Sequence, residues 1–214
     1  MKRVVTVCAP AIIVLSVIVF MVGCQPQPTP TPEQVPEPQI PANFTTYTEE
    51  GLFSISYPSD WQPATLEMEE IWEETKAKMK AEDPAVTLEQ TAMLFFAGKK
   101  TSEGYYPFLN ILTDVRSFGY WTLDEISEAN RQYEREATKG YKELSVIKTT
   151  VDGRDVIILD SEDNEPDYGR WRYIQMYTVK GDFVWLVTCG CEYQDFSDYE
   201  ETFHSIARSH KILN

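Results

Sequence analysis

Apolar positions in residues 44–214 recur with two different periods, and the switches between them outline the elements. Phe53, Ile55 and Tyr57 alternate with Ser54 and Ser56, the period of a strand with one buried face. Pro58 closes it, because proline donates no ladder hydrogen bond. Over 66–81 the spacing changes, and Met68, Ile71, Trp72, Thr75 and Met79 fall on one stripe of a helix. Glutamates crowd its first half and lysines its second, as the helix dipole favours. Residues 91–97 and 108–115 return to strand character. Thr122-Leu123-Asp124-Glu125 forms a capping box. It predicts a helix with Leu123, Ile126, Tyr133 and Ala137 inward, stopped at Gly140.

A meander follows. The strand 143–151 turns at Asp152-Gly153, a strong hairpin signal, into the strand 154–160. An acidic loop from Ser161 to Gly169 leads to the strand 170–179. Lys180-Gly181-Asp182 makes the next turn, and 183–189 pairs back. The closing helix, 196–209, buries Phe196, Tyr199, Phe203 and Ile206 at steps of three and four. The order predicts an α+β fold, with an antiparallel sheet of about seven strands flanked by helices. A helical insertion lies near 64–90.

The N-terminus has another character. Lys2 and Arg3 precede an almost wholly apolar run, Val4 to Val22. Gly23-Cys24 then gives way at once to glutamine and proline. These are the parts of a secretory signal. Met21-Val22-Gly23-Cys24 resembles the lipobox of bacterial lipoproteins, with Met21 and Val22 replacing the usual residues conservatively. The resemblance implies a signal peptide over 1–23 and a diacylglyceryl group on Cys24. An uncleaved anchor is the other reading, since the run approaches the ~20 residues of a bilayer span. Either way the membrane is met through the N-terminus, and the domain is expected outside the cytoplasm. Seven of the chain's 13 prolines lie in 25–43. Such a segment favours an extended polyproline conformation at about 3.1 Å per residue, so 24–43 reads as a tether of roughly 60 Å. Residues 44–214 then suffice for one domain.

Charge narrows the partners. The chain carries a formal −15, and loses two more positive charges if Lys2 and Arg3 leave with the signal. An acidic domain without a basic stripe repels phosphate backbones, which excludes nucleic acid as a partner. Two cysteines remain for the domain, Cys189 and Cys191. Two apart on a strand, they point to one face. They read as small core residues, as a strained disulfide that Gly190 allows to close, or as redox or metal groups. Zinc wants four ligands, and His204 and His210, six apart on one helix, do not converge. No metal or cofactor is expected.

Other acidic and basic groups have plain readings. Asp163, Glu165 and Asp167 alternate like calcium ligands, but the glycine and distal glutamate of a calcium loop are missing. Glu69, Glu70, Glu73 and Glu74 make a solvated helix face. No Gly-x-Ser-x-Gly elbow accompanies His204, so no catalytic residue is marked. The strongest functional signal is aromatic. Tyr105 and Tyr106, and Phe118, Tyr120 and Trp121, fall in two expected loops, where such side chains favour recognition.

The run Phe53-Ser-Ile-Ser-Tyr-Pro-Ser-Asp-Trp61 resembles the opening of PsbP-like domains. The strand 183–189 leading into Phe196-Ser-Asp-Tyr199 and Phe203 resembles their ending, and the helix 122–138 before the meander matches their middle. This resemblance covers 44–214 apart from the insertion. It implies an α/β/α sandwich and a non-enzymatic protein that binds larger assemblies. The expected function is a membrane-tethered extracytoplasmic lipoprotein acting as a protein-interaction module. A small-ligand or cation-binding lipoprotein is the alternative.

Overall fold

A computed structural model describes residues 39–65, 67–82, 90–102, 104–115, 121–165 and 169–213. Cys24, most of the tether, Phe118 and Tyr120 lie outside them. The described chain opens with a hairpin the periodicity only half reveals. β1 (Phe44–Glu49) pairs antiparallel with β2 (Phe53–Pro58). A two-residue β3 (Gln62–Pro63) and the insertion helix α1 (Met68–Glu82) follow. Next come β4 (Thr91–Thr101), β5 (Gly104–Val115) and α2 (Leu123–Ala137). The meander is β6 (Lys142–Val151), β7 (Arg154–Glu165), β8 (Gly169–Lys180) and β9 (Phe183–Glu192). A 3-10 turn, Tyr193–Asp195, feeds α3 (Phe196–Ser209) and the short β10 (Lys211–Ile212).

Seven strands form one antiparallel sheet in the order β3-β4-β5-β9-β8-β7-β6. The first strand of the sequence reading is not among them. β2 instead joins β1 and β10 in a separate three-stranded sheet. Periodicity gives the buried face of β2 and says nothing about its neighbours, so the second sheet was not foreseen.

Alternation along the meander assigns its two faces. Val156, Ile158, Ile174, Met176, Trp185 and Val187 enter the main core with Phe53 and Ile55 of the small sheet and Phe203 and Ile206 of α3. Ile157, Leu159 and Tyr177 point the other way, against Leu123 of α2. Ser209 fastens the first layer. Its hydroxyl accepts from the Ser56 N–H at 2.9 Å and lies 3.1 Å from the Ser56 carbonyl.

Local chemistry sets the turns and caps. Asp152 and Gly153 both have positive φ, 50° and 72°, as a two-residue type I′ hairpin requires. Both arms of the Thr122–Glu125 capping box are made, at 2.7 and 3.3 Å. The inward face of α2 differs from the expected one, however. Ser127 is its fully buried residue, Leu123, Ile126 and Tyr133 are half-buried, and Ala137 is exposed. Asn130 donates to the Tyr177 hydroxyl at 2.8 Å, so polar groups hold part of this contact.

The expected acidic loop is mostly strand. β7 runs to Glu165, and β8 takes it up again at Gly169. At the same end, Gly190 lies beneath the rings of Tyr173 and Phe108. A Cβ there would stand 2.7 Å from Tyr173 Cδ1 and 2.9 Å from Phe108 Cζ. Both rings belong to the sheet, so neither withdraws freely. Gly190→Ala is expected to lower stability by about 1–3 kcal/mol, the usual cost of overpacking. A denaturant midpoint equal to the parent's would contradict that packing.

Candidate functional site

Two clusters and one bare edge carry the polar and exposed chemistry of the described domain. The first cluster is the end of β7 and β8. Asp160, Glu162 and Asp163 are all buried. Arg172 grips Asp160 through Nε at 3.0 Å and Nη2 at 2.7 Å. Arg170 holds both Glu162 oxygens, at 2.8 and 2.7 Å, and Lys142 reaches Glu162 at 2.9 Å. The Tyr173 hydroxyl donates to Asp163 at 3.0 Å. Each guanidinium also lies over a ring, Arg172 on Phe196 and Arg170 on Tyr193.

Burial alone would raise the Glu162 carboxyl, but Lys142 and Arg170 outweigh it and hold it below the usual range. The bond to Asp160 holds Arg172 above its usual value. The residues that alternate like calcium ligands are not the ion-paired ones, which are Asp160 and Glu162. Asp163 bonds to Tyr173, while Asp167 lies outside the described residues. Among the described residues no group of three or more histidine, cysteine or acidic side chains is arranged to hold a metal.

The second cluster is aromatic and lies on the α2 side of the sheet. Phe96 stacks on Phe108 with ring centroids 5.8 Å apart, and Phe108 meets Trp171, which stacks on Tyr173. Tyr106 meets Trp171 edge-on at 5.7 Å. Its hydroxyl donates to Asp195 at 2.6 Å and accepts from the Glu192 N–H at 3.1 Å. Burial and then Asp195 push its pKa up. Tyr106 is therefore a fastening between β5 and the start of α3, and not a presented loop residue.

Tyr105 and Tyr106 belong to β5 and not to a loop, and Phe118 and Tyr120 lie outside the described residues. Tyr105 pairs with Lys100 inside the β4–β5 hairpin, and Trp121 precedes α2 with 40% of its surface exposed.

Cys189 and Cys191 are both fully buried on the main-core face, and both are free. Burial pushes the Cys191 thiol up to about 12 and Cys189 up as well, the opposite of a reactive cysteine. His204 is half-buried, and His210 is buried, its pKa lowered to about 4 by desolvation and then by Arg154. A cavity beside His210, lined by Val151, Met176 and Thr178 among others, measures about 10 Å³. That is room for one water.

The edge is β6. It ends the sheet order, and among the described residues no strand pairs with its outer side. Leu144, Val146 and Ile147 are 45%, 38% and 48% exposed. Ile147 lies opposite Ile158 and Val146 opposite Leu159, so apolar side chains flank both faces of an open ladder. Such an edge is a template for another strand. The sequence reading identified the strand and missed its position. Exposed apolar residues in an expected strand were the available signal, but sheet order is not encoded locally.

The family model of PsbP-like proteins matches residues 6–212, and the chain belongs to that family. Among solved structures it is similar to the cyanobacterial PsbP, CyanoP, of Synechocystis sp. PCC 6803. The TM-score is 0.54 at 10% identity, covering 81% of this chain and 94% of that one. It is also similar to a protein of unknown function from Pseudomonas aeruginosa, with TM-score 0.45, 11% identity and coverage of 78% and 95%. LpqN, involved in cell envelope biogenesis of Mycobacterium tuberculosis, gives 0.43 at 11% identity, with coverage of 80% and 92%. At these identities the likeness to CyanoP concerns the fold alone. No curated protein matched the sequence.

The ion-pair ladder yields a stability test. Arg172→Leu strands the buried Asp160 charge and should cost about 3 kcal/mol. Adding Asp160→Leu should recover most of that loss, because the isolated charge is then gone. Equal melting of the single and double variants would contradict this account.

Proposed function

We propose that the chain is an extracytoplasmic lipoprotein whose domain works as a non-enzymatic protein-interaction module, with β6 as its docking edge. The observation that carries the reading is the exposed Leu144, Val146 and Ile147 on a ten-residue strand whose outer side, among the described residues, pairs with no other strand. Recognition by strand addition takes its affinity from main-chain hydrogen bonds and its specificity from alternating side chains. The apolar run, Met21-Val22-Gly23-Cys24 and the proline-rich segment support the anchored location. Lipid on Cys24 and a tether of roughly 60 Å would hold the domain near a membrane and free to meet a partner. The ion-pair ladder favours a structural role for the polar residues, since its buried carboxylates bind arginine, lysine or tyrosine side chains.

The test uses the full chain in its own membranes. A photo-reactive residue at Ile147 should yield a discrete adduct, whereas one at Glu74 on α1 should not. Cys24→Ala should move the protein from the membrane to the soluble fraction. Failure of Ile147 to cross-link above the Glu74 control would sink the docking edge, and an unchanged membrane fraction would sink the lipid anchor.

A further inference from the structure

We infer that the strand taken up by β6 is β6 of a second copy, so that two chains join their sheets across a two-fold axis. This rests on the reading of β6 as the docking edge. The argument is self-complementarity. An isologous contact requires one surface to fit itself, and a two-fold axis normal to a sheet places residues of equal face opposite each other.

The internal register of β6 fixes those faces. Pairing with β7 puts Glu143, Val146 and Lys148 on the α2 side and Ser145 and Ile147 on the other, with a bulge at Leu144 between them. Two ion pairs agree with that assignment. Arg131 of α2 holds Glu143 at 2.8 Å, and Asp124 of α2 holds Lys148 at 2.6 Å.

Centred on Val146, the two-fold sets Val146 against Val146 of the second copy and Ile147 against Ser145. The two Ile147 side chains become diagonal neighbours on one face, within reach of each other. Lys148 arrives across from the Glu143–Leu144 bulge. No like charges stand opposite each other along this register. The strand carries Lys142, Glu143 and Lys148, so it is slightly positive in a chain of net −15. The edge is thus less acidic than the chain as a whole, which lowers the charge repulsion between two copies meeting there. Lysines and a bulge are also devices that blunt edges. Here the bulge lies near one end and Lys148 is already tied to α2, which leaves Ser145 to Val151 open. A closed two-fold contact consumes the edge and cannot propagate into a fibre.

The experiment is sedimentation equilibrium of the full-length chain in density-matched detergent, beside two variants at the centre of the register. The parent should form a dimer. Val146→Lys sets two lysines face to face and should weaken that dimer roughly tenfold or more, with an unchanged thermal midpoint because the position is exposed. Val146→Cys should give a covalent dimer on oxidation, since directly opposed positions fall within disulfide range. A monomeric parent at every concentration overturns the proposal, and so does a dimer that Val146→Lys leaves intact and Val146→Cys does not link. If the parent is monomeric while Ile147 still cross-links on membranes, self-pairing falls and the docking edge stands with a different strand as its occupant.

Discussion

Burial on both faces of one meander is the constraint on which the domain depends. β7, β8 and β9 each send alternate residues into the main core and the others toward α2. A strand so placed must be paired on both edges, and β7 to β9 are. The requirement relaxes outward. Among the described residues β6 keeps a partner on one side only; it is exposed or half-buried from Lys142 to Thr150, and Val151 alone turns into the core. The exposed edge is therefore a consequence of where the meander ends. The function proposed for it needs no feature beyond the fold itself.

The same geometry explains the buried charges. β7 extends past its apolar stretch toward Glu165, and there Asp160, Glu162 and Asp163 enter the sheet as buried acids. Arg172 neutralises Asp160, Arg170 and Lys142 neutralise Glu162, and the Tyr173 hydroxyl donates to Asp163. Replacement of such a pair by apolar residues is often neutral or stabilising, whereas removal of one partner is costly. The ladder thus ties β6, β7 and β8 together at an end that packing alone does not hold, and Phe196 under Arg172 extends the tie to α3.

Much of this fold was legible in the sequence, and the boundary of legibility is physical. Short-range signals read correctly: the capping box at Thr122, the Asp152-Gly153 turn and the stripe of α3. The run from Ser161 to Glu165 misread as a loop because Glu162 is held by Arg170 and Lys142 and Asp163 by the Tyr173 hydroxyl, residues that a sequence window treats as separate strands. Ala137 misread as buried because the α2 contact is made by Ser127 and by Asn130 reaching Tyr177. Tyr106 misread as a loop residue because the sequence does not show that it sits on β5 with its hydroxyl held by Asp195. The PsbP-like resemblance was carried by ends of elements, Phe53 to Trp61 and Phe196 to Phe203, and the family match confirms it. Sheet order, which decides that β6 is the edge, is set by contacts far apart in the chain and has no local signature.

The central claim is that the outer side of β6 is a pairing surface. Hydrogen exchange of its backbone amides, followed in the full chain from dilute to concentrated protein, tests that claim most directly. The account predicts fast exchange at the outward amides of 144–149 when dilute, with protection that grows with concentration while β8 remains protected throughout. Exchange at 144–149 that stays fast at every concentration, and equally fast on native membranes, would contradict it.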